Sequence, residues 1–199
     1  MSLNPLIEVV SSRLLIEPFA RSSKSGAEQH EDPGSGVASD DIEIASTLLT
    51  PISLLSSHLA FLQSVLPFKM LTDLYRHVAT RLSTHILRRM IMYRGRGRIG
   101  QKEARAIMNE CELWLQTCRL ALRGSVKTSR MVEGPWRKLV EAGRLIVVQG
   151  PEWERIKGLT FGTAGDEDWE RSILDVVGMS DLTREEVGRV LQTRVDCDS

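Results

Sequence analysis

The sequence predicts an all-α fold, an antiparallel helical bundle whose helices are joined by short turns. Three observations lead there. Apolar residues recur at spacings of three and four along most of the chain from Ile42 onward, the period of an amphipathic helix. The breaks in that period fall at proline, glycine or capping residues. No stretch alternates apolar and polar as a half-buried strand would; "LIVVQ" at 145–149 comes nearest, but it continues a helical stripe.

The elements follow in order. In "LNPLIEVVSSRLLIEPF", Asn4 caps and Pro5 opens a helix that carries Ile7, Val10 and Leu14 to Pro18. Residues 1–21 are therefore expected to form an N-terminal helical segment. Residues 22–41 are rich in Ser, Gly and acid and have little to bury, so a disordered linker is expected. Residues 42–199 form the C-terminal helical domain. Thr50 and Pro51 read as cap and first turn of a helix with Ile52, Leu55, Leu59, Leu62 and Leu66 inward, ended by Pro67. Leu71, Leu74, Tyr75, Val78, Leu82 and Ile86 mark the next helix, which runs to about Tyr93.

After the turn "RGRGRIG" (94–100), Ile107, Cys111, Trp114, Cys118 and Ala121 share one face. Pro135 opens a helix with Trp136, Leu139, Val140, Gly143 and Ile146 inward. Gly150 and Pro151 stop it, and a short helix from Pro151 to about Lys157 follows. "DEDWERSILDVVGM" offers Trp169, Ile173, Val176 and Val177, with acids in the first turn to suit the helix dipole. Thr183 and Glu186 have capping-box spacing for a last helix that turns Val187, Val190 and Leu191 inward.

Composition narrows the function classes. Lys plus Arg equals Asp plus Glu, 26 each, so no global field draws in nucleic acid or anionic lipid. The charge is nonetheless segregated. Nine bases and one acid fall between Arg76 and Arg105, and twelve acids and six bases between Gly150 and Ser199. Such asymmetry fits a solvated face or two subunit-facing surfaces. The three cysteines lack C-x-x-C spacing, which disfavours zinc and disulfides and fits a reducing, cytosol-facing location. The sequence shows neither a basic n-region ahead of a long apolar run nor a stretch approaching 18 uncharged apolar residues. No signal peptide or membrane span is expected.

The turn "RGRGRIG" poses the sharpest chemical question. Gly95, Gly97 and Gly100 fit G-x-G-x-x-G, but the residues before them are helical. A dinucleotide fingerprint needs a strand there. Arg94, Arg96 and Arg98 resemble an RNA-gripping segment, yet Tyr93 is the only nearby aromatic for base stacking. The reading that remains is a helix-ending turn in which glycine takes left-handed angles and arginine supplies solubility. Arg88, Arg89, Arg94, Arg96 and Arg98 are expected to form one exposed positive patch, the candidate partner-binding surface.

No catalytic, cofactor or metal site is expected, and the chain reads as a non-enzyme. His77 and His85 have no interleaved carboxylate. Glu110 and Glu112 flank Cys111 on different helix faces, and no adjacent histidine activates that thiol. Trp114, Trp136, Trp153 and Trp169 read as core or groove fillers.

Two segments carry a resemblance. "ILDVVGMSDLTREEVGRVLQTRVD" (173–196) resembles the C-terminal end of the RINT/TIP family of vesicle tethers, the Rad-fifty interactor and Tip-twenty proteins. The matching features are Val177-Gly178, Leu182 to Val187, and an L-x-x-R-x-D ending at Leu191 to Asp196. "HILRRMIMYRGRGRIGQKEARAIMNECELW" (85–114) is similar to that family's helix, Gly-rich loop and helix. The resemblance spans about 67–196. Family members are several times longer, and the N-terminal coiled part that joins the ZW-ten-type partner is absent. A fragment or the C-terminal piece of a split gene is therefore expected.

The resemblance implies part of an elongated helical rod, a non-catalytic subunit of a Dsl-type tethering complex in retrograde Golgi-to-ER transport. It implies binding to sister subunits and ER SNAREs through helical surfaces, at the cytoplasmic face of the endoplasmic reticulum. Peripheral contact with the membrane surface belongs to the same expectation. The competing class is a nucleic-acid- or checkpoint-associated helical module that uses the basic stretch 76–105.

Overall fold

The computed structural model describes residues 46–95, 97–123, 129–163, 165–178 and 181–198. The expected N-terminal helix (1–21) and linker (22–41) lie outside the described residues. What is described is mostly helical, and no strand occurs among the described residues. The described residues form eight α-helices: α1 (Ser46–Val65), α2 (Phe68–Ile86), α3 (Gln101–Ala121), α4 (Ser129–Glu133), α5 (Arg137–Val147), α6 (Gly150–Phe161), α7 (Asp166–Val177) and α8 (Arg184–Gln192). A π-helical turn, Leu87–Met92, extends α2. Short 3-10 turns precede α5 (Gly134–Trp136) and follow α8 (Val195–Asp198).

The core forms where α3 and α5 pack together, joined by α2 and α8. Trp114 of α3 and Trp136 stack with centroids 6.0 Å apart and planes 11° from parallel, and both are fully buried. The Trp136 indole N–H donates to the Tyr75 hydroxyl at 2.9 Å, and that hydroxyl donates to the Val132 carbonyl at 2.6 Å. A polar chain thus crosses the core with each donor satisfied. Cys111 and Cys118 are buried in the same layer. Burial pushes the Cys118 thiol up to about 12, and burial raises Cys111 well above the usual thiol range. Neither is poised as a nucleophile. Gly143 lets α5 approach α3 closely: a Cβ there would sit 3.3 Å from the Cys111 sulfur.

Several expectations are corrected. α1 starts by Ser46, so Pro51 lies inside the helix rather than opening it. At the sixth helical position the proline's missing N–H leaves the carbonyl four residues back without a helical donor. α6 runs to Phe161, beyond the expected end near Lys157. Its last carbonyls gain donors from elsewhere, as described below.

The membrane-span expectation also changes. Leu48–Val65 is long and apolar enough to cross a membrane by length and composition alone, with 22% of the window buried. Its polar side chains bond back to the helix: Ser57 to the Ser53 carbonyl at 2.8 Å, His58 with the Leu54 carbonyl at 2.7 Å, and Ser64 to the Phe61 carbonyl at 2.7 Å. One side of α1 (Leu48, Pro51, Leu55, Leu59) is buried, and the helix packs against α3.

Candidate functional site

The "RGRGRIG" segment is where the two stretches quoted for the resemblance meet. The helix before it ends through the π turn, in which the Tyr93 N–H reaches the Arg88 carbonyl at 2.7 Å. The wider turn keeps Leu87 and Ile91 both buried while Arg88 and Arg89 face out. Tyr93 ends it at φ −126°. The glycines were expected to supply left-handed angles, and they do not. Among the described glycines only Gly150 and Gly178 have positive φ. Gly95, Gly97 and Gly100 meet nothing that a Cβ would strike. Residues 94–95 and 97–100 form the strap between the π turn and α3, with a bend at Gly95.

Ile99 fastens that strap. Its N–H donates to the Thr193 carbonyl at 2.7 Å, and its carbonyl accepts from the Val195 N–H at 3.2 Å. These two bonds make a parallel bridge between Ile99 and Arg194. The Ile99 side chain is buried. Arg189 of α8 donates to the Tyr93 hydroxyl 96 residues away, with its guanidinium 5.5 Å from the ring centroid.

Arg194 is the buried charge at the centre of this clasp, only 3% exposed. Its guanidinium lies 3.8 Å from the Trp153 ring centroid, a desolvated cation–π contact. It donates to the Val148 carbonyl at the end of α5, and in a fork to both carboxylate oxygens of Asp196. The hydrogen bond from Arg194 holds the Asp196 carboxyl below its usual range. A buried guanidinium needs such partners, because an unpaired one would not stay out of water. Leu191, Arg194 and Asp196, the tail motif, therefore perform a local structural task.

Two further arginines cap helix ends. Arg184 donates to the Leu159, Thr160 and Gly162 carbonyls at 2.6, 3.0 and 2.7 Å, satisfying the open end of α6. Arg144 donates to the Val177 carbonyl at 3.1 Å, beside Gly178 at φ 76°. Glu141, wholly buried on α5, accepts the Asp181 and Leu182 N–H groups at 2.8 and 3.0 Å. It fixes the approach to α8, whose Thr183–Glu186 capping box is formed as expected. Burial raises the Glu141 carboxyl pKa against the lowering effect of those two N–H donors. Helical periodicity carries no signal for these residues; only the "L-x-x-R-x-D" spacing pointed toward Arg194 and Asp196.

Four of the five arginines expected as one exposed patch lie among the described residues. Arg88 and Arg89 are exposed on the π turn, and Arg98 is exposed on the strap. Arg94 is not: its side chain is 13% exposed and pairs with Glu103 at 2.6 Å, stapling the strap to the first turn of α3. Arg96 lies outside the described residues. Burial and then the Arg89 charge lower the His85 pKa, which favours a neutral ring beside the patch.

No group of three His, Cys, Asp or Glu that could hold a metal occurs among the described residues. Burial raises the half-buried Glu110 carboxyl to about 7. Comparison with family models, curated proteins and solved structures finds no match to this chain.

Proposed function

We propose that the chain is a non-catalytic helical binding module, part of a Dsl-type tethering complex that acts in Golgi-to-ER transport. In this reading it is one stretch of an elongated rod of antiparallel helices at the cytoplasmic face of the endoplasmic reticulum. It binds sister subunits and ER SNAREs through helix faces. The observation that carries the reading is the clasp. Both segments that resemble the RINT/TIP family converge on it, with Ile99 from the Gly-rich loop bridged to Arg194 of the tail motif. A motif whose residues hold two distant helices together is what a shared scaffold would retain. The buried, unreactive thiols support a binding role over nucleophilic chemistry.

The test is affinity purification of the tagged full chain from cells, with quantitative mass spectrometry against a tag-only control. Enrichment of tethering subunits or ER SNAREs is expected. Enrichment of neither, from a chain shown to be folded, overturns the tethering reading.

A further inference from the structure

The corner between α1 and α2 exposes four large apolar side chains within ten residues. Phe61 is 63% exposed, Val65 53%, Phe68 46% and Met70 58%. Phe61 and Val65 lie one turn apart on α1, and Phe68 and Met70 open α2 on the other side of Pro67. The outward residues of α1 add no charge: Leu49, Thr50, Ser53, Ser57, Ala60 and Ser64 are all exposed. Apolar side chains gathered this way on a surface mark a contact site.

A cationic face adjoins the corner. α1 carries no charged residue, and α2 carries a single acid, Asp73, against Lys69, Arg76 and Arg81. All three cations are exposed. At the helical rise, Met70 to Arg76 spans only about 9 Å. Arg76 and Thr80 also line a groove of about 380 Å³ that adds Arg130, Arg137 and Lys138 to the same side. Arg137 and Lys138 there are already paired, with Asp181 and Glu186, each at 2.8 Å, which leaves Arg76 and Arg130 as the groove's net positive charge.

We propose that this corner and the α2 face together dock the protein onto an anionic lipid surface. Phe61, Val65, Phe68 and Met70 enter the interface, while Lys69, Arg76 and Arg81 meet the headgroup phosphates and carboxylates. Two features select a lipid surface over an acidic protein or a nucleic acid. The apolar residues project outward rather than lining a cleft that a side chain would fill, and the one charge among them, Lys69 between Phe68 and Met70, is a cation. The exposed set is half aliphatic, Val65 and Met70 beside Phe61 and Phe68, whereas a base-stacking surface is built on aromatic faces. Interfacial binding of this kind sums buried apolar area and attraction to anionic headgroups. It does not depend on the tethering partners, so protein and vesicles alone suffice to test it.

The experiment is flotation of the full chain with phosphatidylcholine vesicles, with and without phosphatidylserine. Binding is expected only with phosphatidylserine and should fall as salt rises. Arg76→Glu with Arg81→Glu should weaken it by about tenfold or more, since each base near an anionic leaflet contributes about 1 kcal/mol. Phe61→Ser with Phe68→Ser should also weaken it severalfold while leaving the helical circular dichroism intact. A gain-of-signal variant guards against misfolding: the native tryptophans are all buried, so a vesicle-induced change in Phe61→Trp emission beyond that of the parent reports on the corner. Its emission should shift to the blue on phosphatidylserine vesicles. Unshifted emission, or absence of binding to either vesicle, overturns the proposal. So does self-association that Phe61→Ser abolishes without vesicle binding, which would assign the corner to a second copy. Retention on RNA that survives Phe61→Ser while vesicles are ignored would assign the basic face to nucleic acid and overturn it equally.

Discussion

α1 and α5 are built from similar apolar residues but are used in opposite ways. α5 is the less apolar of the two, yet Leu139, Val140, Glu141, Ala142, Leu145 and Ile146 are all essentially inaccessible. α1 has an apolar side and an uncharged polar side, yet only 22% of its Leu48–Val65 window is buried. The difference lies in pattern. α5 segregates Arg137, Lys138 and Arg144 from its apolar stripe, so one orientation is far better than any other. α1 has no charge to mark an outside, and its burial is decided by what packs on it rather than by its own sequence. Burial in this protein follows contrast between faces more than hydropathy.

Breaking the α5 side should have the largest effect. Trp136 has no exposure, stacks on Trp114 and donates to Tyr75. Trp136→Ala removes a buried ring and leaves the Tyr75 hydroxyl without its donor. A loss of about 3–5 kcal/mol is expected, read as a lower urea midpoint. An unchanged midpoint would mean that the α3–α5 layer is not the stabilising core. Glu141→Ala comes next. It leaves the Asp181 and Leu182 N–H groups without their acceptor in a buried site. A loss of about 2–3 kcal/mol is expected, with hydrogen exchange accelerated first in α8.

Much of this contrast was legible in the sequence. Trp114, Trp136, Trp153 and Trp169 are all buried, because a tryptophan on an apolar stripe has few alternatives. The capping box at Thr183 and Glu186 formed, since it needs only residues three apart. What was not legible depends on distant partners. Arg94 reads as one of a surface series until Glu103 draws it in. Arg194 is buried because Trp153, Val148 and Asp196 receive it, and only the last is a sequence neighbour. Gly95, Gly97 and Gly100 suggested left-handed turns, but none has a positive φ, and the segment is fixed instead by Ile99's bridge to the tail.

The third test sharpens the comparison by pH. Glu110 on α3 has its pKa raised to about 7 by burial from an ordinary 4.5. The native state therefore favours the protonated carboxyl. Its contribution is fully present below the ordinary value and is lost as pH rises through about 7. Glu110→Gln mimics the neutral form at every pH. The variant should be more stable than the parent by about 2 kcal/mol at pH 8, and the gap should close toward pH 4. A gap that is constant with pH would mean that the carboxylate is solvated in the folded chain.

The smallest effect should come from the apolar corner, and its smallness is informative. Phe61 is as hydrophobic as the residues that hold α5 in place, but at 63% exposure most of its ring already meets water. Truncating it recovers little transfer free energy and opens no cavity, so the two costs that make Trp136→Ala severe are both absent. Surface changes away from caps and pairs typically stay within about 0.5 kcal/mol, and Phe61→Ser is expected to fall in that range. The serine adds a hydroxyl that can bond back to the Ser57 carbonyl, as Ser57 and Ser64 already do one turn along the same helix. Urea denaturation of Phe61→Ser beside Trp136→Ala therefore reads α1 against α5 directly. Near-identity with the parent for the first and collapse for the second would fix the contrast between an exposed apolar face and a buried one. A loss above about 2 kcal/mol for Phe61→Ser would instead mean that the corner is covered in solution and carries a share of the core's stability.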